Sequence, residues 1–257
     1  MPSFRQTFWK HWYQYLSGRI GTDAVTFLNY GYWPPEGETL PLESQDEVNR
    51  PAIQLYHHVA ETWPLDGKNV LEVSCGHGGG ASFLTRYHHP VFYTAIDQNP
   101  KAIDFCHKTH ASLNIDFRIG DAQALDFPEN SFDAVINVEA SHCYPDQKAF
   151  FASAKRVLKP GGRLLHADFR PRDELSQWEK DITANFQIAS KTDITAHVVS
   201  ALQRTTERFR TLAHRLSPKI LHPVMEAFAG VEGSSIYNSF VNGERVYLSF
   251  QLKKSSK

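Results

Sequence analysis

The chain has 257 residues, 41% of them hydrophobic and 21% charged, which fits one large domain carrying an appended lid and excludes wholesale disorder. Lys plus Arg number 27 against 28 for Asp plus Glu, a net charge of −1, so the broad positive field of a duplex nucleic-acid binder is absent. Apolar runs such as Val70–Val73 and Ala134–Val138 are too short to span a bilayer, and Arg5, Lys10, His11 and Arg19 interrupt any N-terminal signal core, so the expectation is a cytoplasmic protein with no integral membrane segment.

The first element expected is an aromatic-rich helix over Phe4–Leu16, with Phe8, Trp12 and Tyr15 at helical spacing. An aromatic segment, Phe27–Pro35, follows, and a second helix is predicted from Val48 to Glu61, before Pro64. From Asn69 the pattern alternates. Strands are expected at Val70–Ser74, Phe92–Asp97, Asp116–Ile119, Phe132–Val138 and Arg163–Phe169, with helices at Gly79–His88, Pro100–His110 and Gln147–Leu158 between them. That alternation predicts an α/β fold, a parallel sheet with helices on both faces. Beyond Pro171 the chain reads as mostly helical, with a strand at Phe186–Ser190, helical pattern at Ala196–Leu216 and Lys219–Phe228, and a closing strand at Arg245–Leu252. The division expected is an N-terminal helical arm or lid over 1–68, a ligand-binding core over 69–169, and a helical cap with closing strands over 170–257. Cys75, Cys106 and Cys143 form no CxxC or CxxH pair, which suggests neither a disulfide framework nor a metal site.

The segment Val70-Leu71-Glu72-Val73-Ser74-Cys75-Gly76-His77-Gly78-Gly79-Gly80-Ala81 reads as strand, glycine turn and helix. Glycines let the backbone bend tightly and approach a ligand, while the helix start offers free N–H groups. Gly76, Gly78 and Ala81 fit the dinucleotide fingerprint, and Asp97 stands roughly 20 residues further on, where a carboxylate can hold ribose hydroxyls. These features alone fit a nicotinamide cofactor or S-adenosylmethionine. Glu72, before the turn, and Asp121, in Gly120-Asp121-Ala122 after the third strand, favour the latter. Carboxylates repel a pyrophosphate and suit a sulfonium and an ammonium. Asp121 can also accept from an adenine amino group, with the Ala122 N–H pointing at a ring nitrogen.

Glu72–Gly80, Ala95–Pro100, Gly120-Asp121-Ala122, Phe127-Pro128, Ser131-Phe132-Asp133 and Val157–Gly162 resemble, in order, the motifs of class I S-adenosylmethionine-dependent methyltransferases. Leu71–Ser82, Asn137–Pro145 and Leu40-Pro41-Leu42-Glu43 look like the mycobacterial phthiotriol/phenolphthiocerol dimycocerosate methyltransferases. The resemblance implies a Rossmann-like sheet of seven strands in the order 3-2-1-4-5-7-6, the seventh antiparallel. It also implies O-methylation of a hydroxyl on a polyketide, fatty-acyl or lipid-like acceptor, with S-adenosylhomocysteine as product.

Methyl transfer to an alcohol needs alignment and a group to take the hydroxyl proton. His142, after the fourth strand, is the candidate general base, with Asp168 at the end of the fifth to orient it. Ser74, Gly76, Gly78, Gln98 and Ala122 join Glu72, Asp97 and Asp121 as expected donor-binding residues. Glu139 is expected either to steady the donor's charged groups or to cap the following loop, and Tyr30 to contact the donor's carboxylate. Trp12, Tyr32, Trp33 and Tyr144 are the candidate acceptor contacts. The alternatives within the fold are a small-molecule N-methyltransferase or a sugar O-methyltransferase, and from another class a nicotinamide-dependent reductase. The partner expected is a hydrophobic small molecule and no nucleic acid. A homodimer is left open, as is a peripheral membrane contact through the N-terminal helix.

Overall fold

The computed structural model describes residues 25–34 and 40–255. The helix expected over Phe4–Leu16, with Trp12, lies outside the described residues. The described helices are α1 (Arg50–Glu61), α2 (Gly79–His88), α3 (Pro100–Thr109), α4 (Gln147–Val157), α5 (Leu175–Thr183), α6 (Thr195–Leu216), α7 (His222–Phe228) and α8 (Ser235–Val241). The strands are β1 (Asn69–Val73), β2 (Phe92–Asp97), β3 (Ile115–Ile119), β4 (Phe132–Val138), β5 (Leu158–Pro171), β6 (Phe186–Asp193) and β7 (Arg245–Lys254). They form one sheet in the order β3-β2-β1-β4-β5-β7-β6. Strands β1 to β5 run parallel, while β7 pairs antiparallel with both β5 and β6. The order and the antiparallel seventh strand are those expected.

The central strands are apolar on both faces because helices cover both. Along β4 and β5, Ala134, Ile136, Val138, Leu165, Ala167 and Phe169 join one apolar cluster with side chains of α1, α2, α6 and α8. The alternating Val135 and Leu164 face the other cluster, with Phe150, Phe151 and Trp178 of α4 and α5. Helix starts are fixed locally. Asn99 accepts from the Lys101 N–H at 3.1 Å and Asp146 from the Ala149 N–H at 3.0 Å, each satisfying an otherwise open helix donor.

Three differences from expectation exceed two residues. Strand β5 begins at Leu158, five residues early, because Leu158 already pairs with Phe132; the register then shifts to Ala134–Arg163 across the Pro-Gly-Gly segment, where Gly161 takes a left-handed φ of 81°. Strand β6 continues to Asp193 past an irregularity between Ile188 and Ser190. Helix α8 lies in a stretch for which the sequence pattern predicts no element; Ser234 caps it, accepting from the Tyr237 N–H at 3.3 Å.

Between β1 and β4 the order of connections reverses, and an open parallel sheet offers a crevice outside the strands' carboxyl ends at such a point. The glycine turn after β1, the ends of β2 and β3, and the loop after β4 all meet there. Among the described residues, no helix is long and apolar enough to cross a membrane.

Candidate active site

The turn after β1 reverses through three left-handed residues, Ser74 (φ 63°), Gly76 (57°) and Gly78 (75°). Glycine is required at Gly78 on two counts. Its φ disfavours a side chain, and a Cβ would stand 2.9 Å from the His110 ring and 3.0 Å from the Cys106 Sγ. Asp97, buried at the end of β2, ties the turn in place: Oδ2 accepts the Gly76 N–H at 3.0 Å and Oδ1 the Asn99 N–H at 2.8 Å. Burial pushes its pKa up, against the pull of these two donors. The Gly120 N–H donates to the Asp97 carbonyl at 3.1 Å, so the β2 and β3 ends are locked together. Asp121 then closes a tight turn, its Oδ1 accepting the Gln123 N–H at 2.9 Å, with Ala122 buried beside it and Gln98 exposed.

The structure therefore gathers Ser74, Gly76, Gly78, Asp97, Gln98, Asp121 and Ala122 along one edge. Glu72 is not among them. It is 1% exposed, and both its oxygens are taken, Oε1 by the Tyr56 hydroxyl at 2.8 Å and Oε2 by the Tyr93 hydroxyl at 2.9 Å. Burial raises its pKa to about 7. Its carboxylate braces the underside of the turn, so the two acids at the crevice are Asp97 and Asp121. Asp97 takes one backbone donor on each oxygen, whereas Asp121 takes the Gln123 N–H and the Gln123 Nε2 (3.2 Å) both on Oδ1; lone pairs remain on each carboxylate to meet a ribose hydroxyl or an adenine amine. The turn, the two acids and the adjacent helix start fit an adenosyl ligand.

After β4, Glu139 turns left-handed at φ 50° and a short 3-10 turn, Ser141–Cys143, brings His142 back against the end of β5. His142 Nδ1 is 2.8 Å from Asp168 Oδ1, and the His142 backbone N–H donates to Oδ2 at 2.9 Å. Asp168 is fully buried while the imidazole is 27% exposed. With Nδ1–H held by the carboxylate, Nε2 is the nitrogen left to exchange a proton. Burial works to lower the imidazole pKa, but the Asp168 charge wins and raises it to about 10. Asp168 itself is held well below the carboxylate range: burial opposes, and Arg170 and His142 overcome it.

Sequence reasoning missed the groups behind this pair. Asp168 Oδ2 also accepts the Ser141 hydroxyl at 2.7 Å and lies 3.2 Å from Arg170 Nη1. Buried His166 faces the Asn137 carbonyl at 3.0 Å and the Ser141 Oγ at 3.4 Å, and burial depresses its pKa to about 4. A signal was present: His166, Asp168 and Arg170 are polar residues at alternate positions of a strand whose intervening residues, Ala167 and Phe169, are apolar.

The segment 25–34 straps across this edge. The Thr26 carbonyl accepts the Gly79 N–H at 3.2 Å, and His77 Nδ1 lies 2.8 Å from the Val25 carbonyl. The Tyr30 N–H donates to Glu139 Oε2 at 2.9 Å, and the Tyr247 hydroxyl donates to the same oxygen at 2.9 Å. Burial raises the Glu139 pKa to about 8, so this carboxylate latches the strap to the end of β4. Tyr30 lays its ring against Phe169, with its hydroxyl 3.3 Å from the Phe228 carbonyl. Tyr32 is buried and stacked on His58, ring centroids 4.6 Å apart, and Trp33 lies beneath the Arg204 guanidinium at 4.0 Å. Tyr32 packs between α1 and α6, and Trp33 rides on α6. Tyr144 reaches the β1–β4 junction, where its hydroxyl meets Ser74 Oγ at 2.6 Å and Asn137 Nδ2 at 2.8 Å. Among the described residues, no group of three or more His, Cys, Asp or Glu side chains is arranged to hold a metal ion.

Comparison with known proteins agrees with this fold. A family model described as a methyltransferase domain matches residues 71–166. A phthiotriol/phenolphthiotriol dimycocerosates methyltransferase of Mycobacterium leprae is 42% identical over 247 residues, covering 96% of this chain and 92% of that one. A fatty-acid O-methyltransferase of Mycolicibacterium smegmatis is 42% identical over 219 residues, 84% of this chain and 79% of its own length. Among solved structures, the [4+2]-cyclase SpnF superposes with a TM-score of 0.74 at 20% identity, covering 100% of this chain and 97% of that one, a likeness of fold alone.

Proposed function

This chain belongs to the phthiotriol/phenolphthiotriol dimycocerosates methyltransferase family and is an S-adenosylmethionine-dependent methyltransferase; we propose that it O-methylates a hydroxyl on a hydrophobic, lipid-like acceptor with His142 as general base. The observation that carries the proposal is the 2.8 Å contact between His142 Nδ1 and the fully buried Asp168, at the edge that also holds the glycine turn. The names of the relatives, a dimycocerosates methyltransferase and a fatty-acid O-methyltransferase, support the acceptor class.

The donor supplies a methyl group on a sulfonium, already activated for displacement. What the chain supplies is position and a proton acceptor. Ser74, Gly76, Gly78, Asp97, Gln98, Asp121 and Ala122 form the donor cradle. Nε2 of His142 takes the hydroxyl proton as the oxygen gains carbon, and Asp168 fixes the tautomer and stabilises the resulting imidazolium. In the free protein the Asp168 charge keeps the imidazole protonated up to about pH 10. A cation and an apolar chain brought to this edge both disfavour the imidazolium, so ligand binding itself shifts His142 towards its basic form. The strap over 25–34, latched by Glu139, excludes water and acts as the lid of the N-terminal arm.

The test is transfer of a labelled methyl group to matched long-chain acceptors that differ only in a hydroxyl, an amine or a glycosyl head, with mass spectrometry of the products. Methyl ethers formed from the simple hydroxyl are expected. Methylation confined to the amine would overturn the reading.

A further inference from the structure

Asp168 serves two cations, and only one of them is the candidate base. The other, Arg170, is 2% exposed and uses its planar fork on four acceptors. Nη1 lies 3.2 Å from Asp168 Oδ2 and donates to the Phe169 carbonyl at 2.6 Å; Nη2 donates to Ser141 Oγ at 2.7 Å and Gln147 Oε1 at 3.0 Å. The guanidinium is capped by the Trp178 ring at 4.4 Å. Ser141 in turn donates to the carboxylate oxygen that receives Arg170. We infer that Arg170 is a positioning residue that tunes the proton affinity of His142 through Asp168 and Ser141. The inference rests on the reading of His142 as base.

A positive charge near a proton-binding site always lowers its proton affinity. Arg170 leads His142 among the cations holding the Asp168 carboxyl down, so it claims part of the charge that would otherwise tighten the proton on His142. The remaining neighbours are poor competitors. His166, on the same strand, is depressed to about 4 by burial, with Arg170 adding to the effect, and stays neutral in the working range. Across the site stand Glu139 from the turn after β4, Cys143 from the 3-10 turn, and Tyr30 and Tyr247 from the strap and β7. None of these is a cation: Glu139 is raised to about 8 by burial, Cys143 acts on His142 in the raising direction, and the tyrosines are pushed well up by burial. Arg245, on β7, acts on Tyr30 and bonds to Ser239 at 2.7 Å. Arg170 is thus the cation in direct contact with the pair. Loss of its charge makes the pair as a whole hold its proton more tightly, and the fraction of neutral imidazole at a given pH falls. A lysine restores the charge but cannot reach all four acceptors at once.

The test is a histidine NMR titration of the enzyme saturated with S-adenosylhomocysteine, His142 being identified by the resonance lost in His142→Gln. Wild type, Arg170→Met and Arg170→Lys are compared, alongside pH–rate profiles with labelled S-adenosylmethionine and a long-chain hydroxy fatty acid. In Arg170→Met the midpoint is expected to rise by roughly one unit, about tenfold in proton affinity, and in Arg170→Lys to return to within about 0.3 unit of wild type. The acid limb of kcat follows the midpoint in each variant. Should Arg170→Met not fold, Arg170→Gln, which keeps a polar head for Ser141 and Gln147, carries the same readout. A folded neutral variant with a midpoint at or below wild type overturns the inference, as does a lysine variant as high as the neutral one. Midpoints that move as expected while the rate profiles stay put uphold the role of Arg170 and remove His142 as the base.

Discussion

Replacing Asp168 by asparagine changes one charge and almost no volume, which makes it the sharpest perturbation of the site. The carboxylate accepts the Ser141 hydroxyl, the His142 and Phe169 N–H groups and His142 Nδ1, and faces Arg170. An amide has one acceptor oxygen. If that oxygen keeps Ser141 and the His142 backbone, the NH2 points at Nδ1 and forces the proton to Nε2, the nitrogen that must be bare to act as base. Loss of a positioned base of this kind costs about 10²–10⁴-fold in kcat. The carboxylate is also what raises His142 to about 10 against the burial that lowers it, so without it burial is left largely unopposed and the imidazole pKa falls. The acid limb of the residual activity then moves to lower pH, the opposite direction to the Arg170 variants. Arg170 loses its buried counter-ion as well, a cost on the order of 3 kcal/mol in stability, so folding is checked by circular dichroism at the assay temperature. The assay is methyl transfer to a long-chain hydroxy fatty acid over pH 6 to 10, with S-adenosylhomocysteine affinity by calorimetry as control. A folded Asp168→Asn enzyme with wild-type kcat and an unshifted limb would refute the reasoning.

Asp97→Ala removes the carboxylate that fixes the Gly76 N–H and that the proposed donor cradle assigns to the ribose; S-adenosylhomocysteine affinity by calorimetry is expected to fall at least about tenfold with the fold intact, since a charge-assisted contact is worth roughly 1.5–3 kcal/mol. Gly80→Ala drives a Cβ into the Tyr56 ring, whose hydroxyl bonds Glu72, and urea denaturation should show a loss of about 1–3 kcal/mol. Glu72, Glu139 and His142 all have raised pKa values, about 7, 8 and 10 against ordinary values of 4.5, 4.5 and 6.5. Each therefore contributes stability that is full below its ordinary value and lost as pH rises through its folded value. Burial depresses the pKa values of His58, His77, His88, His110 and His166, which add stability as pH rises towards 6.5. The urea midpoint should therefore fall from pH 7 to 9, and less steeply between pH 7 and 8 in Glu139→Gln; a midpoint that climbs from pH 7 to 9 contradicts the raised values.

The parallel core was legible because each strand–helix unit carries its own signal. Val70–Val73 runs into a glycine cluster, Phe92–Asp97 into Asn99-Pro100, and Phe132–Val138 centres on the apolar run Ala134-Val135-Ile136. Helix α8 was not, since seven residues hold under two turns of periodicity. In the site, Asp97, Asp121, His142 and Asp168 were recognisable by their position at strand ends. Glu72 shares that position but belongs to the core, because Tyr56 from α1 and Tyr93 from β2 claim its oxygens. Partners so far apart in sequence leave no local pattern. The same holds for the strap: the sequence marks Tyr30, Tyr32 and Trp33 as aromatic, while only the packing shows Tyr30 latched at Glu139 and Tyr32 set between α1 and α6.

The most direct measurement is the pair of numbers kcat and S-adenosylhomocysteine Kd for His142→Ala, with a long-chain hydroxy fatty acid as acceptor. A hydroxyl-directed enzyme with His142 as base should lose about 10²-fold or more in kcat while Kd stays within about threefold, because the imidazole acts on the acceptor and not on the donor. An unchanged kcat would contradict the account, and a Kd that collapses with it would make His142 part of the donor site instead.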